Sequence, residues 1–442
     1  MKDKEILESY GSFGRYPKLL AKEIISVAWK SDLPDLNKID GKALPRGYGK
    51  SYGDSCLLEN GTLIDTTPMN RILEWNQDTG VIKAEAGIQF SELLDFLIPR
   101  GYFLPVTPGT KLVSLAGAVA NDVHGKNHHV KGTFGCHVLS FELFRSDSGF
   151  LICDLENNTD LFNATIGGLG LTGVITWIEF KCTPIYSPYF YVENEKFKNL
   201  EEFFEINKKS EKEFEYTVSW IDVNAKGKNL GRGIYNRGNH ADPKIHSIPD
   251  GNPPEGMKPF PFDYPFINNF TTKVFNKLYY NQQVKKIKSG ISHYNPFFYP
   301  LDGVDGWNKA YGKNGFIQYQ FFVPFGKEDT AFAECMDIIT KSSLSSFLVV
   351  LKTYGDVKSP GMMSFPKPGV NLAIDFRMLG NETIELVRKL DKLVLNSGGR
   401  IYPAKDSLMT ADDFKVFYPQ WSEFAKFIDK KLSSSFWERV SR

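Results

Sequence analysis

The chain is short of histidine, cysteine and net charge, and each shortage narrows what it can be. Seven histidines and five cysteines occur in 442 residues. Cys56, Cys136, Cys153, Cys182 and Cys335 are odd in number and widely spaced, without a CxxC pair. That pattern excludes the common zinc and redox-dithiol readings and leaves reduced, mostly buried thiols as the expectation. Lys and Arg total 53 against 52 Asp and Glu, a net charge of +1, so no general field recruits nucleic acid or an acidic surface. No run approaches the roughly 20 apolar residues of a membrane span. The opening MKDKEILESYG alternates charges and does not read as a secretory signal. The expectation is a cytoplasmic protein that binds no nucleic acid, with peripheral contact at the inner face of a membrane still compatible. Repeats and low-complexity tracts are also missing.

What is present is a globular composition, 42% hydrophobic and 24% charged, in a chain too long for one core. Strand-like GTLIDTT from Gly61 and GVIKAEAG from Gly80 mix with a helix pattern, FSELLDFLIPRG from Phe90. Leu93, Leu94 and Leu97 recur at helical spacing, Ser91 is placed to cap the start, and Pro99 and Gly101 end it. GVITWIEFKCTP closes this region near Pro184, and EKFKNLEEFFEINKKSEKEFE follows as a charged amphipathic helix. A boundary near residue 186 is expected. Strands YTVSWIDV and FIQYQFFVP and helix DTAFAECMDIITKSS follow. Between them, the proline- and aromatic-rich segment Ile248 to Phe270 excludes a regular helix or central strand. It reads as a long loop, either packed on its own domain or serving as a lid for an apolar substrate tail. The adjacent basic and aromatic KVFNKLYYNQQVKKIK is compatible with a membrane surface.

Two motifs carry chemistry. In LPRGYGKSYGD, Leu44 to Asp54, three glycines interleave with Arg46, Lys50 and Ser51; glycine lets backbone N–H groups approach an anion while the side chains add charge and hydrogen bonds. The spacing is not that of a P-loop. In LPVTPGTKLVSLAGAVANDVHGKNHHVKGTFGCH, Leu104 to His137, a Pro-Gly turn leads into small residues from Ser114 to Ala120, slender enough to lie against a flat cofactor. GLGLTG, Gly168 to Gly173, matches GxGxxG, but helix-like DLFNATI precedes it and strand-like VITWIEF follows, the reverse of a Rossmann context. His124, His128 and His129 form HxxxHH without an accompanying carboxylate or cysteine at ligand spacing, so no metal site is expected. Gln318 and Gln320 share one face of a strand opposite Ile317 and Tyr319, an arrangement suited to hydrogen-bonding a polyol.

Together the two glycine-rich segments resemble the flavin-binding domain of the vanillyl-alcohol oxidase superfamily. Within it, HGKNHH after the small-residue run, with RGYGKSYGD upstream, is similar to the flavoprotein oxidases of the decaprenylphosphoryl-ribose epimerase family. RGNHA, FFYPLDGVDGWNKAYG, FIQYQ, VVLK, NLAIDF and GGRIYPAKDS extend the resemblance over nearly the whole chain. It implies an α+β, two-domain PCMH-type FAD-binding fold. Residues 1–186 would be the FAD-binding domain, 187–397 an inserted substrate domain on an antiparallel sheet covered by helices, and 398–442 a return to the first domain. It implies noncovalent FAD, because Lys50 stands where many relatives carry a histidine joined to the flavin. The implied cofactor-binding residues are Arg46, Gly47, Tyr48, Gly49, Lys50, Ser51, Tyr52, Gly53, Gly109, Thr110, Ser114, Leu115, Ala116, Gly117, Asn121, His124, Gly125, Asn127, Gly173, Ile175 and Tyr402.

The implied reaction is oxidation of a sugar hydroxyl on a polyprenyl-phosphoryl pentose, with quinone or oxygen as electron acceptor and a short-chain dehydrogenase/reductase as partner. Oxidation of a soluble sugar lactone, such as D-arabinono-1,4-lactone, or an alditol is the alternative. Lys405, Lys352, Gln320, Gln318 and His124 are the implied reaction-site residues. Lys405 would act as a base if burial or the neighbouring Lys352 lowers its pKa, or as a cation on a developing alkoxide or a substrate phosphate; the sequence leaves these open. Ala373 occupies the position of the active-site cysteine of the family's mycobacterial members.

Overall fold

A computed structural model describes residues 2–249, 258–259, 267–342 and 344–442. Most of the expected lid, including Phe260, Phe262 and Phe266, lies outside the described residues. Helix and sheet are mixed along the whole chain. Among the described residues no helix is long and apolar enough to cross a membrane.

The first region is built on two main sheets, beside a two-stranded pairing of Tyr102–Phe103 with Thr183–Pro184. Glu23–Ser26, Thr62–Asp65 and Ala43–Arg46 form a parallel three-stranded sheet, whose last strand delivers Arg46 into the glycine loop. Ile72–Asn76, Val81–Glu85, Val174–Lys181, Val138–Arg145 and Gly149–Asp154 form an antiparallel sheet in that order. The helix Phe90–Leu97 forms as its periodicity predicts, with Leu93, Leu94 and Leu97 fully buried and Gly101 turning the chain at φ 78°. Its cap differs from expectation. Gln89 holds the cap position, where its backbone N–H donates to Glu92 Oε2 at 2.8 Å, while the Ser91 hydroxyl donates to the Gln89 side chain. A Glu three residues past the cap supplies the reciprocal bond.

The second sheet system has eight antiparallel strands in the order Ile287–His293, Tyr189–Phe197, Gly233–His240, Tyr216–Ile221, Val349–Tyr354, Gly369–Arg377, Phe316–Pro324 and Arg400–Ile401. The charged amphipathic helix is shorter than predicted, Leu200–Ser210, because Glu195–Phe197 completes the strand before it and Asn199 caps the helix by accepting from Glu202 N–H at 3.0 Å.

Period-two geometry gives this sheet two different faces. Ile317, Tyr319, Phe321, Leu351, Leu372 and Ile374 share a buried apolar cluster with Phe332 and Met336 of helix Glu328–Lys341 and Leu386 and Leu390 of helix Asn381–Asn396. The alternate residues face away from those helices toward the first region. The tail ties the two together: Arg400–Ile401 pairs with Phe321 and Phe322, Tyr52 N–H donates to Ala404 C=O at 3.1 Å, and Arg439 pairs with Asp54 and Asp406.

Candidate active site

A cavity of about 820 Å³ lies between the glycine-rich loops and the open face of the eight-stranded sheet. One wall is the loop after Arg46. Gly49 sits at φ 61°, where a side chain is strained, and a Cβ on Gly47 would meet Ser114 Oγ at 2.2 Å, so both positions need glycine. Ser114 caps the short helix Leu115–Ala120, accepting from Gly117 N–H at 3.2 Å. Ala116 and Gly117 present a wall without bulk. Arg46 is buried with its Nε unpaired, while its Nη2 donates to Gly11 C=O at 2.9 Å. Leu169, Gly170 and Gly173 of GLGLTG reach the same cavity from the turn between helix Thr159–Thr165 and strand Val174–Lys181. A glycine cradle, a slender helix and an orphaned guanidinium nitrogen fit the dinucleotide that the resemblance implies.

The sheet supplies the opposite wall by register. Gln318 pairs with Asp375, Gln320 with Ala373 and Ala373 with Val350, while Asn371 pairs with Lys352, so these side chains tile one face. Gln320 Nε2 lies 2.9 Å from His124 Nε2 and donates to Asn371 Oδ1 at 3.0 Å. Tyr354 O–H donates to Asn371 Oδ1 at 2.8 Å and lies 2.9 Å from His124 Nε2. Because an amide N–H can only donate, His124 Nε2 accepts and the imidazole proton sits on Nδ1, which is buried without a protein partner. Burial, then the charges of Lys352, His128 and Lys405, hold this histidine well below its usual pKa, so it is neutral.

Two lysines face this network. Lys352 Nζ donates to Gly125 C=O at 2.9 Å, and burial, together with the charge of Lys126, pulls it down to about 7. Lys405, on the turn Pro403–Lys405, lies with Nζ 3.7 Å from the Tyr52 ring centroid. Burial brings it down to about 7, against the opposing pull of Asp375. Asp375 is itself fully buried, accepts from Gln318 Nε2 at 2.7 Å and Tyr311 O–H at 3.0 Å, and is pushed up to about 7 by burial.

Lys405, Lys352, Gln320, Gln318 and His124 therefore line one cavity, with Arg46, Gly47, Tyr48, Gly49, Lys50, Ser51, Tyr52, Gly109, Thr110, Ser114, Ala116, Gly117, Asn121, Gly125, Gly173, Ile175 and Tyr402. Tyr402 O–H donates to Asn121 C=O at 2.8 Å. Three residues implied to touch the cofactor are not in the lining. Gly53 abuts the Asp406 carbonyl, which a Cβ would meet at 1.6 Å. Leu115 is fully buried in the core, and the Asn127 amide donates to Pro105 C=O at 2.9 Å. Among the described residues no group of His, Cys, Asp and Glu is arranged to hold a metal; His129 instead contacts Phe214 C=O at 3.0 Å. Sequence reasoning missed Asn371, Tyr354, Asp375 and Lys126. Alternation in NLAIDF and VVLKTY put the first three on faces shared with Gln320 or Lys352, but strand pairing was needed to bring those faces together.

A family model described as an FAD binding domain matches residues 35–154. Over 397 residues the chain is 34% identical to decaprenylphosphoryl-beta-D-ribose oxidase of Mycolicibacterium smegmatis, spanning 87% of this chain and 84% of that protein. A Neurospora crassa protein described as a D-arabinono-1,4-lactone oxidase is 31% identical over 143 residues, 32% of this chain and 25% of its own. L-gulonolactone oxidase of Mus musculus is 29% identical over 139 residues, 31% of each chain.

Proposed function

The chain belongs to the family of FAD-dependent oxidoreductases acting on CH–OH groups that includes decaprenylphosphoryl-beta-D-ribose oxidase, and from that premise we propose that it oxidises a secondary hydroxyl of a polyprenyl-phosphoryl pentose to the ketone. The observation that carries this reading is the single cavity joining the glycine cradle to a wall of amides and lysines.

Bound FAD supplies the hydride acceptor for such a reaction. The chain's own residues do the rest. Gln318, Gln320 and Asn371 offer amides that orient a polyol. Neutral His124, held by Gln320 and Tyr354, keeps its proton on Nδ1 as a donor without a protein partner. Lys405, brought near neutrality by burial, takes the hydroxyl proton at Nζ. Apolar walls from Phe297, Phe347 and Val350 exclude water and provide for a prenyl chain.

In this reading residues 1–186 and 398–442 form the FAD domain and 187–397 an inserted substrate domain. FAD is held noncovalently, since Lys50 occupies the loop and its amine lies 5.4 Å from the Phe13 ring. The ketone product calls for a partner reductase of the short-chain dehydrogenase class, and a lipid substrate calls for contact with the inner face of a membrane. The helix Asn269–Gln282, with Phe270, Val274, Phe275 and Leu278 exposed, is the surface we assign to that contact.

The test is anaerobic addition of a polyprenyl-phosphoryl ribose to the purified holoenzyme, with arabinonolactone and alditols as comparisons. Bleaching of the flavin absorption by the lipid-linked sugar alone is the expected result. Bleaching by the free sugars in preference would move the assignment to the soluble lactone or alditol oxidases.

A further inference from the structure

Lys126 belongs to HGKNHH but is not part of the histidine network. It lines the cavity, its Nζ donates to Phe297 C=O, and it lies 4.4 Å from the Phe297 ring centroid. Lys352 comes to the same wall from the sheet and donates to Gly125 C=O, the residue preceding Lys126. An ammonium carries three N–H donors. Among the described residues each lysine has one protein acceptor, so two donors on each remain for a ligand. Burial lowers Lys126 to about 7, burial together with the charge of Lys126 lowers Lys352 to about 7, and no carboxylate raises either. Two cations gathered without a counter-ion in a low-dielectric cavity repel one another and lose hydration. A bound anion reverses both effects.

The chemistry along the sheet says where that anion belongs. Lys352 pairs across the sheet with Asn371, whose Oδ1 accepts from the Gln320 amide. Two residues back on the same strand, Val350 pairs with Trp220, and Phe275, Tyr279 and Phe347 continue the apolar wall. Polar and apolar patches thus both adjoin the Lys352 ammonium, as a sugar and a prenyl chain both adjoin the phosphodiester that joins them.

We propose that Lys126 and Lys352 together form the subsite for the phosphodiester of the substrate. This rests on the lipid-linked sugar reading and names the group by which the site selects that substrate over a free sugar.

The experiment uses the FAD-loaded enzyme with dimethylallyl phosphate, dimethylallyl alcohol and inorganic phosphate as probes, binding being read from perturbation of the flavin absorption. Binding is therefore measured whether or not any sugar is oxidised. The prenyl phosphate should bind at least about tenfold more tightly than the alcohol, the scale of a charged hydrogen bond, and more tightly than inorganic phosphate. Lys126→Gln should collapse the preference over the alcohol and Lys126→Arg should restore it, each variant first checked for a full complement of flavin. Equal affinity for phosphate and alcohol in the unmodified enzyme would overturn the proposal. So would a preference that survives Lys126→Gln, and inorganic phosphate binding as tightly as the prenyl phosphate would mark a free-anion site instead. Failure of the substrate reading appears separately, as absent bleaching with polyprenyl-phosphoryl ribose while the prenyl phosphate still binds.

Discussion

If Lys405 is the group that removes the hydroxyl proton, its charge state sets the acid limb of the pH–rate profile. An amine with the ordinary pKa of 10.5 is neutral in about one molecule in 3,000 at pH 7, whereas burial to about 7 leaves about half neutral. The cavity thereby raises the competent population by about 1,500-fold. Below pH 7 the amine is protonated and cannot accept, so the rate of flavin reduction at saturating substrate falls about tenfold per unit as pH drops; above it that rate reaches a plateau. Lys405→Met should lower kcat by about 10²–10⁴-fold, the range for a positioned general base, with flavin still bound. Lys405→Arg separates base from cation, because guanidinium keeps the charge over Tyr52 but does not deprotonate. The arginine variant should be as slow as the methionine variant and lose the inflection near 7. Stopped-flow reduction of the flavin from pH 5.5 to 9 measures both. A saturating rate that falls above pH 7, or an arginine variant near full activity, would refute the base assignment and make Lys405 an electrostatic stabiliser.

Other expectations use the same geometry. Asp375 raises the pKa of Lys405, so Asp375→Asn should move the acid inflection to lower pH, readable in the same stopped-flow profile. Gly53→Ala drives a Cβ into the Asp406 carbonyl and should destabilise the fold by about 1–3 kcal/mol, measured by thermal melting, while displacing the turn that carries Lys405. Denaturation and filtration should release all yellow colour from the polypeptide; colour retained by the protein would contradict noncovalent FAD. Ala373 lines the cavity without a thiol, so cysteine-directed covalent inhibitors should leave no adduct on the peptide carrying position 373 by mass spectrometry, and Ala373→Cys should create one there.

How much of the site was legible depended on whether its signal was local. Gln318 and Gln320 were found because a two-residue period is written within one strand. The glycine loop was found because its glycines and its basic and hydroxyl side chains are adjacent in sequence, although the steric demand at Gly47 comes from the distant Ser114. Asp375 escaped because NLAIDF alone reads as an apolar strand with incidental polar residues; only its register opposite Gln318 brings it into the network facing Lys405. The cap at Phe90 was misplaced by two residues because Ser91 is the stronger capper by type, whereas the Gln89–Glu92 reciprocal bond fixes the start. Lys126 went unread for a different reason. HGKNHH draws attention to its histidines, yet His128 is pushed to about 3 by burial, with Lys352 adding repulsion, and the lysine in their midst is what bears on the ligand. Each lysine alone is an ordinary solvated residue in sequence, and becomes chemically informative only when a sheet, a loop and a tail bring three of them to one buried wall.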